Sequence, residues 1–122
     1  MFELQSDEAR LLLNVAMMAT GQNRFRSATK ILAALERFRP QNEQIAVAKA
    51  VLMISMQEFA MALGYIDDVA LAQHPGSAML KAFKGMALIR LGRRDDAMVC
   101  LGEAAASDDE SAANLAKGLI NA

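Results

Sequence analysis

The chain has 122 residues and a mass of 13.2 kDa, with 54% apolar and 22% charged side chains. That composition excludes a disordered polyampholyte, and the length suits one domain or one short repeat array burying roughly two thirds of its unfolded surface. Thirteen basic residues against fourteen acidic ones leave a net charge of -1, which supplies no overall field for nucleic acid.

Cys100 is the single cysteine, so no disulfide framework is possible within the chain and a reducing compartment is expected. The start, Met1 to Glu8, is acidic and lacks the basic region of a secretory signal. The longest apolar stretch, Ile45 to Met56, carries Lys49 and is well short of the roughly 20 residues that span a bilayer. Together these features point to a cytoplasmic protein with no membrane insertion.

Alanine, leucine and methionine dominate, only two prolines and seven glycines interrupt them, and strand signals are almost absent. An all-α fold follows. The first helix is expected over 7–20, with Leu11, Val15 and Met18 at helical spacing, and the second over 24–38, with Ala28, Ile31, Leu32 and Leu35 in phase. Helices over 43–56 and 59–72 come next, bracketed by Pro40 and Pro75. Then follow 77–91 and 94–106, the latter carrying Cys100 as a buried, inert thiol between Val99 and Leu101. A last helix over 110–120 is expected to start on Asp109 as N-cap and to turn Leu115, Leu119 and Ile120 inward.

A longer period underlies these elements. Phe25 and Phe59 are 34 residues apart, as are Ala28 and Ala62, while Ala62 and Ala97, like Pro40 and Pro75, are 35 apart. Lys49-Ala50-Val51-Leu52-Met53-Ile54 recurs 35 residues later as Lys84-Gly85-Met86-Ala87-Leu88-Ile89. Three helix pairs fill the chain to about residue 109.

This pattern resembles the tetratricopeptide repeat, most fully in the segment from Lys84 to Ala97. The resemblance implies a right-handed α-solenoid of three helix pairs over 9–42, 43–77 and 78–109, closed by a capping helix over 110–121, so that 1–122 is one domain. It implies close helix approach at Ala16, Ala50 and Gly85 against Ala28, Ala62 and Ala97, and left-handed turns at Gly21 and Gly92. The sequence departs from the family pattern at Leu12, Ala46 and Lys81, where a bulky aromatic is usual. It departs again at Lys49 and Lys84, where leucine is usual, and at Arg94, which replaces the aromatic present as Phe25 and Phe59.

In such repeats the first helix of each pair lines a concave groove. The corresponding residues are Leu13 and Met17, then Val47, Val51 and Ile54, then Met79, Met86 and Ile89 with Phe83 at their margin. An apolar stripe of this kind serves equally as core, and a shift of one residue would turn it inward. Helices that are apolar nearly all round nevertheless need a second apolar surface to face. Met17, Met79 and Met86 are the methionines expected in the groove, while Met18, Met53 and Met98 are expected in the core. The carboxylate clamp of some family members is absent, because Leu13, Met17, Ala48, Met79 and Phe83 occupy its positions.

Chemistry elsewhere is sparse. His74, beside Pro75, reads as a cap on helix carbonyls, and Asp67-Asp68 and Asp95-Asp96 read as solvated. Neither a CxxC pair, a second histidine nor a phosphate loop is present, so no catalytic residue, metal or cofactor is expected. Arg24, Arg26, Lys30, Arg37 and Arg39 give one basic stretch, either a solvated face or a dock for an acidic protein.

A short, acidic chain of three such repeats with an apolar groove resembles the small chaperones of bacterial type III secretion. The resemblance implies that the protein holds an amphipathic helix of a needle, translocator or export-apparatus subunit before secretion, alone or with a small co-chaperone. Without its client such a chaperone is expected to be unstable, aggregated or a loose homodimer; a general adaptor or self-associating scaffold of defined assembly is the alternative.

Overall fold

The computed structural model describes residues 6–122; the first five residues, part of the acidic start, lie outside the described residues. Seven helices and no strand are found among the described residues. They are α1 (Ser6–Gly21), α2 (Phe25–Phe38), α3 (Glu43–Ser55), α4, α5 (Ala78–Arg90), α6 (Arg94–Ala105) and α7 (Glu110–Ile120). α4 runs over Phe59–Tyr65, continues through a π-helical stretch at Ile66–Ala70 and ends with Leu71–Gln73.

Two kinds of start alternate along the chain. α3, α5 and α7 begin with side-chain caps: Asn42 Oδ1 accepts from the Ile45 N–H at 3.0 Å, Ser77 Oγ from Leu80 at 3.2 Å, and Asp109 Oδ1 from Ala112 at 3.1 Å. Gln41, at φ 60°, precedes the capped α3, while α2, α4 and α6 have no side-chain cap and follow the left-handed residues Asn23, Gln57 and Gly92, with φ of 62°, 62° and 79°. These three share one place in the 34- and 35-residue spacing. Gly21, expected in that role, is the last residue of α1; the chain reverses two residues later, where the Arg24 N–H reaches back to the Ala19 carbonyl at 2.8 Å.

The π-helical stretch explains why the period changes from 34 to 35. Leu32, Ile66 and Leu101 are buried at spacings of 34 and 35, whereas Leu35, Ala70 and Ala104 are buried at 35 and 34. The additional residue therefore falls between Ile66 and Ala70, where the π turn absorbs it and leaves Val69 exposed.

The chain divides into two compact units, one ending at Gln57 and one covering Glu58–Ala122. In the first, α1 and α2 form a hairpin and α3 packs on both. Its core joins Ala16, Ala19, Ala28, Leu32, Leu35, Ile45, Ala48 and Leu52, and the buried Thr20 hydroxyl donates to the Ala16 carbonyl at 2.9 Å. In the second, α5 packs against α4, α6 and α7. Leu88, Ala97, Cys100, Leu101, Ala104 and Ala116 form its centre, with Leu115, Leu119 and Ile120 half-buried against it as the sequence implies. Gly85 is required here: a Cβ on it would lie 2.5 Å from Leu101 Cγ and Cδ2.

Candidate protein-binding faces

Each of the nine residues singled out for partner binding lies outside the fully buried core. On α1, Leu13 is half-buried beside the first core and Met17 is exposed. On α3, Val47, Val51 and Ile54 follow at i, i+4 and i+7 and are all half-buried. Met79, Phe83 and Met86 repeat that spacing on α5, again half-buried, and Ile89 is half-buried but packs against the second core. Leu13 also lines a pocket of about 170 Å³ with Ser6, Ala9, Arg10, Arg39, Asn42, Gln44 and Ile45, near the N-terminal ends of α1 and α3.

The lysines that depart from the repeat pattern are ion-paired. Lys49 Nζ lies 3.0 Å from a Glu36 carboxylate oxygen, linking α3 to α2. Lys84 reaches Asp67 on α4 at 2.8 Å, and Lys81 reaches Glu103 on α6 at 3.3 Å. All three lysines are half-buried, so their aliphatic stems cover apolar neighbours while their amines stay at the surface. Asp67 and Asp96 are thus not simply solvated, since Asp96 pairs with Arg93 at 3.0 Å.

The Lys84–Asp67, Lys81–Glu103 and Arg93–Asp96 pairs rim a cleft of about 360 Å³ in the second unit. Leu63, Leu71, Leu88, Val99 and Cys100 supply its apolar and thiol lining. Burial raises the Cys100 thiol above the ordinary value of 9.0, against a smaller opposing effect from the Lys84 charge. Its S–H points to the Ala97 carbonyl at 3.3 Å, the setting of an unreactive thiol. His74 does not cap carbonyls with its ring: the Nε2 atom is buried without a hydrogen-bond partner, and its backbone N–H bonds to Ala70 O at 2.8 Å. Among the described residues no three His, Cys, Asp or Glu side chains are grouped to hold a metal, and no helix is long and apolar enough to cross a membrane.

One apolar feature was misassigned by periodicity alone. Leu11, Val15 and Met18 share a helix face by their spacing, and the sequence places Met18 in the core. All three are exposed. Small residues decide the matter: Ala16 and Ala19 bring α1 against its neighbours, and the bulkier stripe is left on the far side. Met53 and Met98, also expected in the core, are half-buried.

The chain is therefore an all-helical protein whose larger surface apolar groups lie along helix faces. A family model described as bacterial type III secretion protein (HrpB1_HrpK) matches residues 1–88, more than two thirds of the chain, and the chain belongs to that family. No curated protein and no solved structure matches it.

Proposed function

We propose that this chain is a non-enzymatic chaperone of type III secretion that holds an amphipathic helix of an export subunit until secretion. The observation that carries the reading is the half-exposed apolar lining of α3 and α5, in a chain of a type III secretion family. Val47, Val51 and Ile54 in the first unit, and Met79, Phe83 and Met86 in the second, offer β-branched, thioether and aromatic groups at helical spacing. Such groups suit a client helix with apolar residues at i, i+3 and i+4. Each large side chain so buried contributes about 1.5–3 kcal/mol, and a few suffice for a stable complex.

The tetratricopeptide reading of the fold is part of this proposal. It is supported by complete burial of Ala16, Ala28, Ala50, Ala62 and Ala97 at the small-residue positions, and by the close fit of Gly85 to Leu101. Holding a client before export also places the protein in the cytoplasm, which fractionation of the native cells tests directly.

The decisive experiment is a pull-down of the tagged protein from its native cells, with Val51→Glu and Met86→Glu as controls. Recovery of one small, helix-rich secreted protein, lost in both variants while their circular dichroism is unchanged, is the expected result. Recovery of several unrelated intracellular proteins would sink the reading. A second reading, a self-associating scaffold, is favoured by the exposed Leu11, Val15 and Met18 of α1; recovery of the chain alone would support it.

A further inference from the structure

α1 has two apolar faces. Ala16 and Ala19 join the core of the first unit, with Ala9, Leu12 and Leu13 packed beside them. On the other side Leu11, Val15 and Met18 stand at i, i+4 and i+7 and remain 63%, 40% and 62% exposed. At a rise of about 1.5 Å per residue they form one ridge on the order of 10 Å long. The C-terminal helix α7 has no counterpart: its apolar residues are half-buried or buried, and its exposed positions are polar or glycine.

Charge around the ridge is polarised along the helix. Asp7 and Glu8 occupy the first turn of α1, four and three residues before Leu11, and are exposed on the same side. Arg10, also exposed, lies at that same end, so two acids and one base stand there, and no further acid lies between Glu8 and Glu36. Past the C-terminal end of α1 come Arg24 and Arg26, both exposed. A patch with an apolar centre, a net negative end and a basic end is complementary to itself when turned through a two-fold axis. Parallel packing would set acids against acids. Antiparallel packing sets Asp7 and Glu8 of each copy towards Arg24 and Arg26 of the other and opposes the two helix dipoles.

We propose that the protein forms a homodimer by antiparallel packing of α1 on α1 of a second copy, with the two-fold axis near Val15 and Leu11 of each copy against Met18 of the other. One ridge of three side chains is smaller than the roughly 800 Å² per partner of a standard interface, so the dimer dissociates on dilution. Salt weakens it, because exposed charges are screened over about 8 Å at physiological ionic strength. Leu13 and Met17 lie on other sides of α1, and α3 and α5 are not used, so the dimer leaves the proposed client-binding residues free.

Sedimentation equilibrium of the full chain, from low micromolar to millimolar concentration, tests this directly. Wild type is expected to rise from 13.2 kDa to twice that mass and to stop there. Val15→Glu and Met18→Glu are expected to stay at the chain mass with unchanged helicity and melting, while Val51→Glu still dimerises, which keeps this test separate from client binding. In a Cys100→Ser background, Val15→Cys should be joined to its twin by a short bismaleimide. Asp7→Cys should not, since two such residues lie on the order of 25 Å apart in the antiparallel pair. A wild type that remains monomeric throughout, including one that uses the ridge only for a client helix, overturns the proposal. So does a Val15→Glu dimer, an assembly that grows beyond two chains, or cross-linking at Asp7→Cys without cross-linking at Val15→Cys.

Discussion

Single atoms decide several features of this protein. Gly85 faces Leu101 so closely that one methyl group would lie 2.5 Å from two of its carbons, and Leu101 is fully buried. Gly85→Ala should lose about 1–3 kcal/mol in urea unfolding, although alanine is the better helix former. Gln57 shows the opposite case. It holds φ at 62°, a conformation that costs an L-residue about 1–2 kcal/mol and that glycine adopts freely. Gln57→Gly should therefore raise the stability in urea unfolding by about 0.5–1 kcal/mol after the greater freedom of glycine in the unfolded chain is subtracted. Cys100 adds a pH effect. Its thiol is raised above 9.0 in the folded protein, so the folded state keeps a proton that the unfolded state releases first. Its contribution is intact below about pH 9 and is lost as the pH rises beyond that value. Stability measured from pH 8 to 10 should fall less steeply in Cys100→Ala than in wild type.

At the scale of elements, the bounds of the helices were legible in the residues. Asp109 marks the start of α7 and the prolines at 40 and 75 follow two ends, whereas the caps Asn42 and Ser77 emerge only in the structure. The irregular turn in α4 was not read, although the two unequal spacings on either side of Ile66 already contained it. Propensity scales carry no signal for one added residue, because the π turn is stabilised by what it keeps in phase. With Ile66 and Ala70 both buried, the surplus is carried outward at Val69. Deleting Val69 should therefore leave a regular helix with Ile66 and Ala70 still on one face, and should change stability by no more than about 1 kcal/mol. Deleting Ala33 from α2 should cost several times as much, because it rotates Leu35 out of the core, a loss of the order of 2–5 kcal/mol. Thermal melts of the two deletion variants make the comparison. The lysines at 49, 81 and 84 show the same limit. Each breaks an apolar repeat position, and only the carboxylates facing them across neighbouring helices explain why they are tolerated.

For the molecule as a whole, two compact units with separate cores share 122 residues. Leu101→Ala should lower amide protection by hydrogen exchange mass spectrometry across α4 to α7, and more there than in α1 to α3, because Leu101 belongs to the second core alone. Equal loss in both units would show that they open as one. The sequence by itself determined the all-helical class, the helix bounds, the spacing of 34 and 35 and the small residues at the tightest contacts. Those follow from local propensity and from period, which are properties of neighbours along the chain. Tertiary structure alone decided which apolar stripe of α1 faces the core. A helix that is apolar on two sides can be buried by either, and periodicity is unchanged by rotation about its axis. Ala16 and Ala19 meet the core with Leu12 and Leu13 packed beside them, and Leu11, Val15 and Met18, on the adjoining face, remain exposed to water.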